Sequence, residues 1–291
     1  MLNIFEEQNS EENLMLNYSQ RVHYNRAEKL NFINWIVVIF TLILNLFTPT
    51  TQNLIILHSI TILILTLLEV YLDISVSTSV AIGAATKDLF DRTLFKLPIG
   101  SKLGNYSPRE LYDIAITTCS NPNNKLDYNT QISNTGNDTP PGLKDWYTNK
   151  QSKNDNYCIL NCQSENIYWC DKLSKKLLKI IIIIATIFFC ITVLFITLVD
   201  APPYLVLIKI IPFIGLAFKS NEVINITTYN KTYSECNTLI NALTTTEIPP
   251  IEMLINLQEH IFTLRSSKHL IPNTLHKVQS ETIHQMWAKL K

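Results

Sequence analysis

Glycine is scarce in this chain, six residues in 291, so no glycine-rich turn is available to cradle a phosphate, and no nucleophile motif of the hydrolase or kinase kind is present. Charge is sparse as well. Charged residues make up 16% and cancel to a formal net charge of zero, which gives no extended basic surface and no reason to expect DNA or RNA as a partner. The six cysteines are scattered, and Cys190 falls inside an apolar run; this argues against a disulfide framework and for a reducing compartment. Cys158, Cys162 and Cys170 have no histidine nearby to complete a zinc set, so neither a metal nor a cofactor is expected. The opening MLNIFEEQNSEENLML is acidic where a secretory signal is basic, and the first apolar block is expected to be retained.

What the chain has is long aliphatic runs, gathered into two blocks at 32–76 and 177–218, with polar segments at 1–31, 77–176 and 219–291. Residues 180–199, IIIIIATIFFCITVLFITLV, carry no charge and as a helix cover roughly 30 Å, the hydrocarbon thickness of a bilayer. Residues 32–47 and 54–72 are similar, and 204–218 is a weaker fourth candidate because it holds Lys209 and Pro212. Asp200-Ala201-Pro202-Pro203 and TPTTQN at 48–53 are turn formers too short to hold a domain. The expectation is an all-α polytopic membrane protein with four transmembrane helices in two hairpins and a helical cytoplasmic region. A soluble helical protein is the competing reading, but a helix with no polar face, as in 180–199, is not a water-soluble one.

Orientation comes from basic residues. Arg21, Arg26 and Lys29 precede the first span, Lys87, Arg92 and Lys96 follow the second, Lys172, Lys175, Lys176 and Lys179 precede the third, and Lys219 follows the fourth. Neither hairpin turn has one, so both turns are expected outside and both termini in the cytoplasm. Asn34, Asn45, His58, Glu69 and Lys209 are the polar candidates within or beside the bilayer, where a charge at the helix centre costs about 2.5–3.5 kcal/mol on insertion scales. Rise per residue puts Lys209 about 9 Å, His58 about 6 Å and Glu69 about 22 Å below the outer surface. A Glu69–Lys209 pair within one subunit is therefore not expected, and Lys209 either snorkels outward or lines a pore.

In the polar segments, Ser107-Pro108-Arg109-Glu110 reads as a helix start with a capping serine, proline at the first helical position and glutamate three places after the cap. The stretch after Leu72 carries the second span into the cytoplasm as helix. Residues 120–141 are dense in turn formers and read as a mobile surface loop. A stripe from Ile251 to Leu264 after two prolines, and another of Leu275, Val278, Ile283, Met286, Trp287 and Leu290 after an Asn273 cap, predict two packed helices near the end.

Four segments, in order and in place, resemble the SMODS-associated four-transmembrane effector family: SEENLMLNYSQRVHYNRAEKL, AATKDLFDRTLFKLPIG, LKDWYTNK with NCQSENIYWCDKLSKKL, and LRSSKHLIPNTLHKVQSETIHQM. The chain departs from the family pattern at Thr148, Ser164 and Cys170. The resemblance implies a bacterial inner-membrane, pore-forming effector of anti-phage defence, acting as a homo-oligomer beside a nucleotidyltransferase whose cyclic oligonucleotide signal triggers it. Candidate ligand contacts on that reading are Arg21, Lys144, Trp146, Tyr147, Gln163, Asn166 and Trp169, since aromatics stack on bases and cations meet phosphates. Ordinary packing competes at each position. The rival functions are a non-lethal membrane scaffold or channel subunit regulated by a protein partner, and a membrane-embedded enzyme, which lacks a catalytic constellation to support it.

Overall fold

The computed structural model describes residues 3–46, 51–136, 138–147, 154–198, 221–267 and 270–288. Among these there are nine helices, α1 (Ile4–Glu7), α2 (Glu11–Leu46), α3 (Gln52–Phe95), α4 (Pro108–Ser120), α5 (Lys125–Ser133), α6 (Asp155–Leu198), α7 (Asn221–Thr244), α8 (Ile251–Ser266) and α9 (Asn273–Ala288), and no named strand. The Asp200–Pro203 turn, the 204–218 span with Lys209, and Thr148 lie outside the described residues.

α3 and α6 are each 44 residues long, about 66 Å at the helical rise and twice what a bilayer's hydrocarbon needs. Each therefore has to emerge from its apolar stretch into different surroundings, and α3 changes character accordingly. Its first half exposes Leu57, Ile60, Leu63, Ile64, Leu67 and Tyr71, whereas Val80, Ala84, Ala85, Leu89, Phe90 and Leu94 of its second half are almost wholly buried. Charge runs the opposite way, with Lys87, Asp88, Asp91 and Arg92 all buried in that second half. Exposed aliphatics beside buried charges suit a helix that begins in lipid and ends in a protein core.

α2 runs antiparallel to α3. Leu44 meets His58, whose Nε2 lies 2.9 Å from the Leu44 carbonyl oxygen; further along, Ala27 packs with Val76 and Val80, and Tyr24 with Gly83. Val37, Val38 and Leu42 of α2 are buried, while Phe32, Ile36, Phe40 and Ile43 are exposed. α2 and α3 are the two helices, among the described residues, long and apolar enough to cross a membrane, and 17% and 6% of their most apolar windows are buried by the fold. So little cover leaves those faces open to lipid or to further helices. Ile180, Ile183, Ile187 and Leu194 of α6 are exposed in the same manner.

Gly83 marks a close approach of α3 to α2. A β-carbon there would sit 3.1 Å from the Tyr24 ring and 3.4 Å from the Gln20 carbonyl oxygen. Alanine should be nearly neutral, because its helix preference offsets the tight contact, whereas Gly83→Leu should cost about 1–3 kcal/mol by overpacking. Thermal unfolding of the full chain in detergent would read the difference.

α4 begins as its sequence predicts. Ser107 Oγ accepts from the Glu110 amide at 3.3 Å and the Ser107 amide donates to Glu110 Oε2 at 2.7 Å, with Pro108 first in the helix. α8 buries Leu254, Leu257, Gln258, Ile261 and Leu264, the stripe expected there. Residues 120–141 are not a loop throughout. Helix α5 occupies Lys125–Ser133 because Tyr128 and Ile132, one turn apart, pack against Leu14, Tyr18 and Leu143. Asn273 is the first helical residue of α9 rather than its cap, and its side chain donates to Asn25 Oδ1 on α2 at 2.7 Å. In the same helix Ile283 is buried, but Val278 is exposed.

Candidate functional site

The segment KDLFDR on α3 places Lys87 and Asp91, and Asp88 and Arg92, one turn apart on the helix surface. Arg92 Nε donates to Asp88 Oδ2 at 2.7 Å, and its Nη1 reaches the Pro98 carbonyl at 2.9 Å. Lys96 makes that second bond possible by turning left-handed at the end of α3 (φ 54°), where the chain reverses.

Asp91 is the hub. Its Oδ1 accepts from the Tyr147 hydroxyl at 2.6 Å and its Oδ2 from Arg265 Nη1 of α8 at 2.5 Å. Asn166 of α6 donates to the Tyr147 oxygen at 2.8 Å. A parallel chain runs from Gln163 Nε2 of α6 to Gln258 Oε1 of α8 (3.1 Å), and from Gln258 Nε2 to Asp88 Oδ1 (2.7 Å). Two helices that carry apolar stretches, α3 and α6, are thereby cross-linked through α8 and Tyr147. Burial would raise the Asp91 carboxyl, but Arg265 and Lys87 beside it hold it below the usual carboxylate range. For Asp88 burial wins, and its carboxyl is raised despite Arg92 and Gln258.

Lys87 differs from the other charges. Its Nζ is 3.6 Å from Asp91 Oδ1 and makes no hydrogen bond. Instead it lies 4.0, 4.3 and 5.3 Å from the ring centres of Phe90, Trp146 and Tyr147. Burial pushes this ammonium down to about 7, even with Asp91 pulling it up. An unfolded chain keeps the Lys87 proton until about pH 10.4, so between pH 7 and 9 the unfolded state binds more protons and stability rises with pH. Thermal unfolding of wild type should show that slope, and Lys87→Met should flatten it.

The segment that brings Trp146 and Tyr147 here is held at several points. Gly142 donates to the Thr135 carbonyl at 2.7 Å, and a β-carbon on it would fall 1.9 Å from the Asn134 oxygen, so only glycine permits this approach. The Tyr147 amide donates to Gln8 Oε1 at 2.8 Å, and the Asp145 amide to Asn9 Oδ1 at 3.0 Å.

Of the candidate ligand contacts, the structure brings Trp146, Tyr147, Gln163 and Asn166 into this one network. Tyr147 and Gln163 are fully buried within it, and Trp146 is 39% exposed. Lys144, two residues from Trp146, is held by its amide on the Asn134 carbonyl at 3.0 Å, and Trp169 is half-buried on α6. Arg21 belongs to a separate cluster on α2 and α5, donating to Gln131 Oε1 at 2.7 Å, where burial lowers its guanidinium against the pull of Asp127. Lys87, Asp88, Asp91, Gln258 and Arg265 are not among the sequence candidates. For Lys87, Asp88 and Asp91 the signal is two pairs of opposite charges at helical spacing inside an apolar stripe; nothing in the sequence marks Gln258 and Arg265 in that way.

Three of the four polar candidates of the first hairpin turn inward. Asn34 and Glu69 are buried, His58 meets the Leu44 carbonyl, and Asn45 Nδ2 donates to the Thr41 carbonyl at 3.0 Å. Asn34, Glu69 and His58 thus avoid the exposed aliphatic face, as polar groups in lipid must, and Asn45 satisfies its amide on its own helix.

The sequence profile of a family described as the SMODS-associating 4TM effector domain matches residues 2–289. No curated protein and no solved structure gives a significant match.

Proposed function

The chain belongs to the SMODS-associating 4TM effector family, and from that premise we propose that it is an inner-membrane effector of bacterial anti-phage defence which opens a pore when a cyclic oligonucleotide engages its cytoplasmic core. The observation that carries this reading is the continuity of α3 and α6: each runs unbroken from exposed aliphatic residues into the region of the Asp91 network. A ligand that alters the network therefore acts on the cytoplasmic ends of helices that continue into the bilayer. On this reading four spans form two hairpins, both termini are cytoplasmic, and several copies assemble, since four helices enclose no sizeable channel.

The signal must favour the open arrangement. Moving a two-state equilibrium from 1:99 to 99:1 takes a differential affinity of about 10⁴, or about 5.5 kcal/mol. Rearranging two or three buried charge contacts involves energies of that order.

The test is induced expression together with a family-associated nucleotidyltransferase, with dye entry and membrane potential followed over time. Rapid depolarisation only when the nucleotidyltransferase is active supports the effector. An intact barrier under verified signal production would sink it and favour a scaffold or channel subunit governed by a protein partner.

A further inference from the structure

Lys87 is a buried cation with nothing to hydrogen-bond. The carboxylate nearest to it already accepts the Tyr147 hydroxyl on one oxygen and the Arg265 guanidinium on the other, and the Lys87 ammonium stands back at 3.6 Å. Three N–H donors are left to face aromatic rings. Two of those rings are fixed in the core, with Phe90 and Tyr147 at 0% and 1% exposure, while Trp146 is 39% exposed. Trp146 is thus the ring of the three that stands between an unsatisfied ammonium and water. An oxyanion reaching Nζ would supply the missing acceptor, and the displaced indole would offer a flat face for stacking.

We propose that Lys87 beneath Trp146 is a binding site for a soluble phosphate-bearing anion, with Trp146 as its movable lid and stacking surface. This rests on the reading of the cytoplasmic core as the part that receives a signal, and gives that reading its point of contact. A lipid headgroup is the less suitable source. Lys87 lies fifteen residues beyond Leu72 on one continuous helix, about 22 Å from the expected end of the span. The charged and titratable groups that face Lys87 are Asp91 on its own helix, Arg265 from α8, Tyr147 from the preceding segment and Cys162 from α6. Since the ammonium is pushed down to about 7, anion binding takes up a proton and weakens as pH rises.

The experiment uses the full chain in lipid nanodiscs, with inorganic sulfate as the probe because its charge is constant above pH 4. Acylation of Lys87 is followed by mass spectrometry, with the exposed Lys179 as internal control. Sulfate should protect Lys87 saturably and leave Lys179 unchanged. Trp146→Ala should speed Lys87 acylation by about tenfold with the same sulfate protection. By calorimetry, Lys87→Met should lose at least about tenfold in sulfate affinity, Lys87→Arg should retain binding, and raising wild type from pH 6.5 to 8.5 should weaken it more than about tenfold.

Equal protection of Lys87 and Lys179, or undiminished sulfate binding by Lys87→Met, would overturn the site. Phosphatidylcholine discs with and without phosphatidylglycerol should behave alike, and a requirement for the anionic lipid would overturn the soluble source. Failure here is separable from failure of the effector reading: signal-dependent depolarisation that persists unchanged in Lys87→Met removes the site and keeps the effector, whereas sulfate binding without depolarisation does the reverse.

Discussion

Lysine at both Ile60 and Ile64 should stop the first half of α3 from crossing the membrane. The two residues are one turn apart on α3 and are 49% and 59% exposed, so they share a face. They lie about 12 and 18 Å along the helix from Gln52, close to the centre of a bilayer's hydrocarbon. On insertion scales isoleucine is favourable there by about 0.5 kcal/mol and lysine unfavourable by about 3, so the pair should cost roughly 7 kcal/mol.

In water the same exposure predicts the opposite outcome, since surface substitutions away from special features usually fall within about 0.5 kcal/mol. Ile116 of α4 and Ile248, at 52% and 62% exposure outside the apolar helices, supply the control: lysine at either should change little. A cysteine at Gln52, the first residue of α3, labelled on intact cells by a membrane-impermeant maleimide, separates the cases: the double variant should lose the label. Labelling of the Ile60→Lys, Ile64→Lys double variant at wild-type level would mean that this face of α3 does not meet lipid, and the effector reading would fall with it.

Much of the helical architecture was legible because it rests on local rules. The Ser107–Glu110 start of α4 is a four-residue signature that needs no tertiary information. The α8 stripe repeats every three to four residues, and the apolar stretches of α2 and α3 are long enough to cross a membrane. α5 was hidden because its apolar contacts amount to Tyr128 and Ile132 in a polar setting, too few for a periodicity to register. The Asp91 network was hidden for a different reason. Its members stand at 87–92, 147, 163–166 and 258–265, and sequence spacing says nothing about which distant residues meet.

Lys87 and Arg92 show how one residue type can serve two purposes. They contribute to the basic flank that predicts orientation, a rule that acts on the chain while it inserts and before it packs. In the folded protein both are buried and paired with carboxylates one turn away. Trp146, Tyr147, Gln163 and Asn166 are candidates for what they could do to a nucleotide, and the fold makes them neighbours of one network. Three of the four already have partners in the protein, so a ligand would have to compete with Asp91 and Gln258 for them.

The buried charges yield the second large effect. Asp91→Asn keeps the shape of the side chain but removes the one negative group that lies between Arg265 and Lys87. Stripping one partner from a buried ion pair typically costs 3–5 kcal/mol, because the remaining charge is left uncompensated. Arg265→Met should cost a similar amount by leaving Asp91 with the Lys87 ammonium, 3.6 Å away, as its cation. The two losses should not add: with both groups neutral no charge of that pair remains unmatched, and the double variant should be less destabilised than the sum of the singles by at least about 2 kcal/mol. Unfolding of the full chain in detergent completes the cycle.

If the network also holds the membrane helices closed, Asp91→Asn should depolarise cells with no nucleotidyltransferase present, at expression levels where wild type is silent. The double variant should do so less. Additive destabilisation with no signal-independent depolarisation in either single variant would show that Asp91 and Arg265 act separately in packing and that closure is governed elsewhere.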